Sequence, residues 1–350
     1  MKIKHILISI SILLAGVGSS FALLGEPAYW GAKSDHFDGE RFFNLVEKVE
    51  REYVSALQGV VSGAQGFGEW DKLPNKSYAP PVERVMGEGL KVTFINHSTT
   101  LIQTQGLNIL TDPIWSDYCG PLPLVSPYRY RPPGLDFDSL PPIDVVVVSH
   151  SHYDHMDLPT LKRLSERFQP KIFVGLGNAE LLQAEGIKNV LELDWWASTH
   201  VNQNLEVVGV PAQHWSRRTV GDEDKRLWMG YVLKTPGGSY YFAGDTAVGP
   251  HFEMIRQRYG EPRLALLPIG AFRPEPVMSG SHISPLEAIK AHDILAAKTS
   301  IAIHWGTFRL GMDGQFEAVD VLNDALKQRE AAGSPVDFRV LDFGESLELE

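Results

Sequence analysis

Cysteine is almost absent: Cys119 stands alone in 350 residues, so neither an internal disulfide nor a thiolate zinc cluster can form. Positive charge is also short, with 32 Lys plus Arg against 43 Asp plus Glu and a formal net charge of −11. An acidic chain of this kind repels phosphate backbones, which argues against nucleic acid as a partner. After residue 22 no run is long and apolar enough to span a bilayer, and no solenoid-period repeat or low-complexity tract is present. With 43% apolar and 21% charged residues, the remainder is an ordinary globular composition with apolar mass for a large core. Against these scarcities the 12 histidines stand out.

Residues 1–22 carry Lys2 and Lys4, an apolar run from Ile6 to Leu14, and Ser20-Phe21-Ala22 with small residues where an export peptidase reads. This predicts a cleaved signal peptide and an exported, periplasmic or envelope protein. The alternative is an uncleaved N-terminal anchor, although the apolar stretch is shorter than the ~20 residues of a spanning helix. Residues 23–90 read as an extension packed on the main body. The spacing of Phe42, Phe43, Leu45 and Val46 predicts a helix over 40–58, and Gly63, Gly66, Gly68, Pro74, Pro80 and Pro81 a following loop. The polar cluster Asp35-His36-Phe37-Asp38 carries no assigned role.

From 91 to 350 the pattern is α/β and reads as one domain. Short β runs at 92–95, 99–103 and 107–110 suggest hairpins, with Gln105-Gly106 as a turn. Ile143 to Val148 is β-branched without alternation, as in a strand buried on both faces. Strands follow at 171–174, 190–193, 205–210, 228–234 and 239–243, and helices at 158–168, 178–185, 250–259, 284–297 and 316–330. The helix at 284 has Ser284 as N-cap, Pro285 in its first turn and Glu287 to complete a capping box, which leaves His282 in the preceding loop.

The chemistry concentrates in His150-Ser151-His152-Tyr153-Asp154-His155, directly after the buried strand. Neutral imidazoles and a carboxylate are ligands for zinc or its first-row neighbours, and a strand end fixes their directions in advance. One cation cannot easily take all four groups from so tight a loop, whereas a pair can. His214, Asp245 and His304 each follow a hydrophobic strand in the same way, and a carboxylate such as Asp245 can bridge two ions.

The run H-x-H-x-D-H followed in order by His, Asp and His resembles the metallo-β-lactamase-fold hydrolases. Asn96-His97-Ser98-Thr99-Thr100, Thr111-Asp112-Pro113, Pro211 to Arg218, Pro268 to Phe272 and His304-Trp305-Gly306-Thr307-Phe308 further resemble the branch of N-acyl-phosphatidylethanolamine-hydrolysing phospholipase D. The resemblance spans about residues 90–310. It implies an αββα sandwich, two mixed sheets flanked by helices, with two Zn2+ in the cleft at the strand ends, other divalent transition metals being possible occupants. It further implies that His150, His152 and His214 hold one ion and Asp154, His155 and His304 the other, with Asp245 bridging. Asp112 corresponds to an acid that supports the first loop, and His282 to a histidine near the substrate phosphate.

Two such ions would acidify a water between them and clamp an in-line displacement. Asp154 could orient that water, and His282, at an unperturbed pKa of ~6.5, could be the acid for the leaving group. The expected activity is phosphodiester cleavage of phospholipase D type on an N-acyl-phosphatidylethanolamine-like lipid. A lactonase or other carbonyl hydrolase, or a non-catalytic zinc-holding envelope protein, are the alternatives. Net negative charge weighs against electrostatic docking on anionic lipid, while apolar insertion through Phe or Trp stays open; oligomeric state is not legible.

Several other residues have ordinary structural readings beside functional ones. His97 reads as a hairpin residue, with hydrogen bonding to the metal loop as the alternative. Arg217, Arg218, Arg129 and Arg131 are either solvated or donors to a phosphate. Trp195, Trp196 and Trp215 are either buried or lining for acyl chains. His5, His200, His251 and His292 have no motif around them.

Overall fold

The computed structural model describes residues 29–46 and 68–349. The export signal expected at 1–22, His5 and the part of the expected helix beyond Val46 lie outside the described residues. The three opening strands, β1 (Leu90–Asn96), β2 (Thr99–Thr104) and β3 (Leu107–Thr111), pair antiparallel. Gln105 and Gly106 between β2 and β3 both have positive φ, 54° and 71°, as a two-residue turn matched to strand twist requires. β4 (Val145–Val147), β5 (Lys171–Gly175) and β6 (Val190–Leu193) then add in parallel, with α1 (Leu158–Phe168) and α2 (Ala179–Ala184) as crossovers.

The second sheet starts as an antiparallel meander, β7 (Ser198–Asn202), β8 (Leu205–Val210), β9 (Gly230–Thr235) and β10 (Gly238–Phe242). It continues in parallel through β11 (Leu264–Pro268), β12 (Thr299–Ile303) and β13 (Phe338–Arg339). Its connections contain α3 (His251–Tyr259), α4 (Glu275–Met278), α5 (Pro285–Leu295) and α6 (Glu317–Ala331). β14 (Ser346–Leu349) then returns to pair antiparallel with β1, giving two seven-stranded mixed sheets. The capping box at α5 is formed: Glu287 N donates to Ser284 Oγ and Ser284 N to Glu287 Oε2.

Side-chain alternation explains the layering. Phe94, Ile102, Ile109, Val145, Val147 and Phe173 face inward and share a core with Val207, Tyr231, Leu233, Phe242 and Leu266 of the second sheet. Ile95, Leu101, Leu110, Val146, Val148 and Ile172 face the other way and pack on Leu161 and Leu164 of α1. Strand β4 is thus buried on both faces, and the sheets meet with helices outside, the αββα arrangement. Among the described residues no helix is long and apolar enough to cross a membrane.

The start of the helix expected at 40–58 is overturned: residues 41–46 are not helical. Phe42 pairs with Phe37 as an isolated β-bridge, and its N–H is taken by the Asp224 carbonyl at 2.7 Å. Both rings enter the inter-sheet core, tilted at 36° with centroids 4.6 Å apart. Tertiary pairing of the backbone and burial of alternate rather than helically spaced rings override the local apolar pattern.

Candidate metal centre

Four strand ends converge. β4 runs on through Val148 and Ser149 into the His150 loop, where His155 N and Met156 N both donate to the His152 carbonyl and fold the loop back. The β10 end carries Asp245 after Gly244, whose φ is +60°; a Cβ there would lie 2.5 Å from Ser149 Cβ, so only glycine lets the two strand ends touch. His304, after β12, has φ +61°, a conformation rare outside glycine, and its N–H donates to the His97 carbonyl at 2.6 Å. His214 lies in an irregular segment four residues beyond β8.

The side chains form two adjoining groups. His152 Nδ1 is 2.7 Å from His150 Nε2 and 3.3 Å from His214 Nε2. His155 Nε2 is 3.1 Å from Asp154 Oδ2, and His304 Nε2 lies 3.6 Å from the same oxygen. Asp245 Oδ2 stands between the groups, 3.2 Å from both His155 Nε2 and His304 Nε2 and 3.8 Å from His214 Nε2. Two atoms bound to one zinc at ~2.0–2.1 Å with tetrahedral angles are about 3.3 Å apart, and several of these separations fall near that value.

The surroundings fix which ring atom faces inward. His214 Nδ1 donates to the Ser281 carbonyl at 2.8 Å, and His155 Nδ1 donates to Asp112 Oδ2 at 2.6 Å. Ser149 Oγ donates to Asp112 Oδ2 at 2.6 Å and so accepts from His150 Nδ1 at 2.8 Å. All three rings therefore turn Nε2 toward the cluster, with the outward proton anchored as in metal-ligating histidines. His152 Nε2, His155 Nε2, Asp245 Oδ1 and both ring nitrogens of His304 are buried without a hydrogen-bond partner among the described residues.

Charge gives a second test. Burial, joined by the fields of neighbouring imidazoles, holds His150 well below the usual histidine range; burial likewise lowers His214 far, and His152 to about 3, so these rings are neutral donors of a lone pair. Burial pushes Asp154 and Asp245 up, but His155 and His304 outweigh it and hold both carboxyls well below their ordinary value. In return His304, despite burial, rises to about 9 under Asp245 and Asp154, and His155 rises well above 6.5 under Asp245, Asp154 and Asp112. Two buried carboxylates thus draw protons onto two imidazoles, the positive charge that divalent cations would replace on binding. The donor set, its spacing and its orphaned atoms fit a metal centre.

Residues 107–305 match the model of the beta-lactamase superfamily domain. The chain belongs to that superfamily. It is 36% identical over 271 residues to N-acyl-phosphatidylethanolamine-hydrolyzing phospholipase D 1 of Caenorhabditis elegans, covering 74% of this chain and 76% of that one. It is 30% identical over 266 residues to a metal-dependent hydrolase of Methanopyrus kandleri, covering 74% of this chain and all of the other. Among solved structures, a metallo hydrolase from Ignicoccus hospitalis superposes with a TM-score of 0.57 at 24% identity, covering 75% of this chain and 99% of that one, a likeness of fold. This superfamily member is a metal-dependent hydrolase.

Other expected residues sort cleanly around the superfamily cluster. Asp112, buried at φ +32°, accepts from Ser149 N, Ser149 Oγ and His155 Nδ1. His282 lies with Nδ1 3.8 Å from Asp245 Oδ2. Burial lowers its imidazole to about 4, so the ring is neutral at physiological pH. His97 does turn the hairpin, at φ +47°, but its Nε2 also donates to Asp154 Oδ2 at 2.9 Å, so the alternative reading holds as well. Arg218 is engaged with the metal loop, donating to Ser151 O and Met156 O at 2.8 Å each, with its guanidinium 3.9 Å above Tyr153. Arg217 is exposed, while Arg129 bonds Ser116 O and Arg131 pairs with Asp342.

Of Trp195, Trp196 and Trp215, it is Trp215 that adjoins the centre, edge-on to His152 at 4.4 Å. Trp195 is buried under His36 with its Nε1 on Trp228 O, and Trp196 stacks outside with Tyr259 and Arg258; neither lines the site. His251 and His292 bond Thr246 and Ser300, and His200 lies on edge strand β7. Sequence reasoning missed Asn44, whose carboxamide bonds the backbone of His214 in both directions. An isolated asparagine before an unremarkable segment leaves no signal of that.

Proposed function

We propose that this hydrolase is a binuclear zinc phosphodiesterase of phospholipase D type acting on N-acyl-phosphatidylethanolamine-like lipids. The observation that carries this is Asp245 Oδ2, within 3.2 Å of His155 and His304 and 3.8 Å of His214, a carboxylate shared by two ligand groups. In this reading His150, His152 and His214 hold one ion, Asp154, His155 and His304 the other, and Asp245 both. Ions so held would supply Lewis acidity to a phosphoryl oxygen and make a water between them acidic enough to attack near neutral pH. Asp154, ionised and tied through Oδ2 to the neutral His97, would accept a hydrogen bond from an attacking water and set its direction. The neutral His282 offers a ring N–H to the substrate phosphate.

The phospholipid assignment draws on the name of the Caenorhabditis elegans relative and on the surface beside the metal loop. A groove of about 510 Å³ runs along Tyr153, Met156 and Lys162 under Tyr118, Gly120 and Pro121. Beyond it the uncharged turn Gly120 to Ser126 exposes Leu122, Leu124 and Val125, with Leu124 98% accessible. Pro121 and Pro123 carry no N–H, and Val125 N and Ser126 Oγ both donate to the Leu122 carbonyl, so few donors would lose water on entering lipid. In this reading the turn makes apolar contact with a lipid surface. Export by residues 1–22 belongs to the same proposal, and N-terminal sequencing of the secreted chain tests it.

The deciding experiment couples metal analysis of the purified protein to turnover of N-acyl-phosphatidylethanolamine vesicles, a soluble bis-aryl phosphate, an acyl lactone and a β-lactam. Two zinc ions per chain with phosphatidic acid released are expected, and Leu124→Asp should slow cleavage of vesicles while sparing the soluble diester. Lactone opening without diester cleavage would overturn the substrate class, and a single ion per chain the binuclear reading.

A further inference from the structure

His214 is the ligand least supported by its own strand. β8 ends at Val210, the segment 211–217 has no regular structure, and the backbone N–H and C=O of His214 have no ladder partner there. Both are buried and need satisfaction. Asn44 supplies it: His214 N donates to Asn44 Oδ1 at 3.0 Å, and Asn44 Nδ2 donates to His214 O at 2.8 Å. The carboxamide takes the place that a neighbouring strand's peptide would hold. Its oxygen also accepts from Trp228 Nε1 at 2.9 Å, which fixes the amide orientation, since only the oxygen can accept.

Asn44 is itself clamped from both sides. Phe42 is locked in the core with its N–H on Asp224 O, and Gln213 Nε2 donates to Val46 O at 3.0 Å. Further back, His36 stacks on Trp195 at 4.5 Å and its Nε2 is 2.7 Å from Asp194 Oδ1. The segment 36–46 is therefore a strap whose one buried carboxamide ends on the backbone of a site residue, although it lies more than sixty residues before the matched domain begins.

We propose that Asn44 is a positioning residue of the metal centre, holding the His214 backbone so that its imidazole completes the group with His150 and His152. This rests on the reading that His214 ligates a metal. The N-terminal extension is then a working part of the site, and a chain lacking it keeps the domain but not the full centre. Losing a partner that orients a ligand costs ~10–100-fold in metal affinity, and the loss should fall on one ion, because the side-chain hydrogen bonds of Asn44 run to His214 and Trp228, and of these only His214 is a ligand.

The test uses Co2+ as probe on the metal-stripped full-length protein, reading visible absorption during titration and bound metal after desalting against a chelator. Asn44→Ala, His214→Ala and Phe43→Ala, a neighbour that touches no ligand, are compared with wild type, and circular dichroism reports folding. The expected result is that Asn44→Ala and His214→Ala each bind one ion as wild type does and the second ~10–100-fold more weakly, while Phe43→Ala matches wild type. A merely structural role would weaken both ions together and overturns the inference. Wild-type binding by Asn44→Ala beside a defective His214→Ala overturns the inference alone; wild-type binding by His214→Ala overturns the ligand reading and the inference with it. If Asn44→Ala does not fold, Asn44→Asp decides, since it keeps the acceptor for His214 N–H and Trp228 but loses the donor to His214 O. Selective weakening of one ion supports the proposal, and unchanged affinity refutes it.

Discussion

Replacing Asp112 should disable two ligands that it never touches through metal. Its carboxylate accepts from Ser149 N at 2.7 Å and from Ser149 Oγ and His155 Nδ1 at 2.6 Å each. Because Ser149 Oγ spends its proton on Asp112, it must accept from His150 Nδ1, which leaves His150 Nε2 bare for the cluster. In Asp112→Asn the amide oxygen can still take Ser149 N, but the NH2 then faces the His155 ring and the serine hydroxyl. Ser149 turns its proton to His150 Nδ1, and both histidines shift their protons to Nε2, the ligating atom. Metal affinity should fall by ~10–100-fold for each misdirected ligand, with the backbone little disturbed. Asp112→Ala goes further: Ser149 Oγ keeps His150 as partner, but Ser149 N and His155 Nδ1 are left buried and unpaired, a cost of about 2–6 kcal/mol at ~1–3 kcal/mol each. Competition for zinc against a chromophoric chelator measures the first effect and guanidinium denaturation the second. An Asp112→Asn protein with wild-type zinc affinity would refute the tautomer argument.

Two further outcomes follow from groups outside the ligand set. Burial lowers the His36 imidazole, but Asp194 and Asp35 outweigh it and its folded pKa lies above the ordinary value; the anchorage it gives the strap is thus complete below the unfolded ~6.5 and fades as pH rises through the folded value. Proteolytic nicking of the strap relative to the body should increase over that window and become flat with pH in His36→Gln; a trend of opposite sign would discard the argument. Arg218→Ala leaves the Ser151 and Met156 carbonyls without their donor and should destabilise the protein by about 2–4 kcal/mol while speeding metal loss to chelator. Arg218→Lys should recover only part, since an ammonium can donate to both carbonyls as Nη1 does but cannot lie flat over Tyr153; full recovery would mean that the stacked guanidinium plane contributes nothing.

The strands that present ligands were legible because each couples a short apolar run to a polar group at its end, and a buried strand allows few reasons for a histidine there. Ser284 to Glu287 was legible because its signal is local. What escaped has non-local causes. β7, Ser198–Asn202, is a half-exposed edge whose polar alternation resembles a loop, and β14 gains its partner β1 only after some 250 intervening residues have folded. The misread start of the 40–58 helix shows the same limit in reverse: Phe42 and Phe43 have helical spacing with Leu45 and Val46, yet the fold uses Phe42 as a core anchor and Asn44 as a backbone surrogate. A ligand type is written in the residue that bears it, whereas its aim depends on which distant side chain holds its backbone. The aim of His214 resides in Asn44 and Ser281, that of His150 and His155 in Asp112, and that of His304 in the His97 carbonyl. Each partner lies more than forty residues from at least one ligand that it directs, or on another element, so sequence can name the donors of such a centre before it can tell what points them at one another.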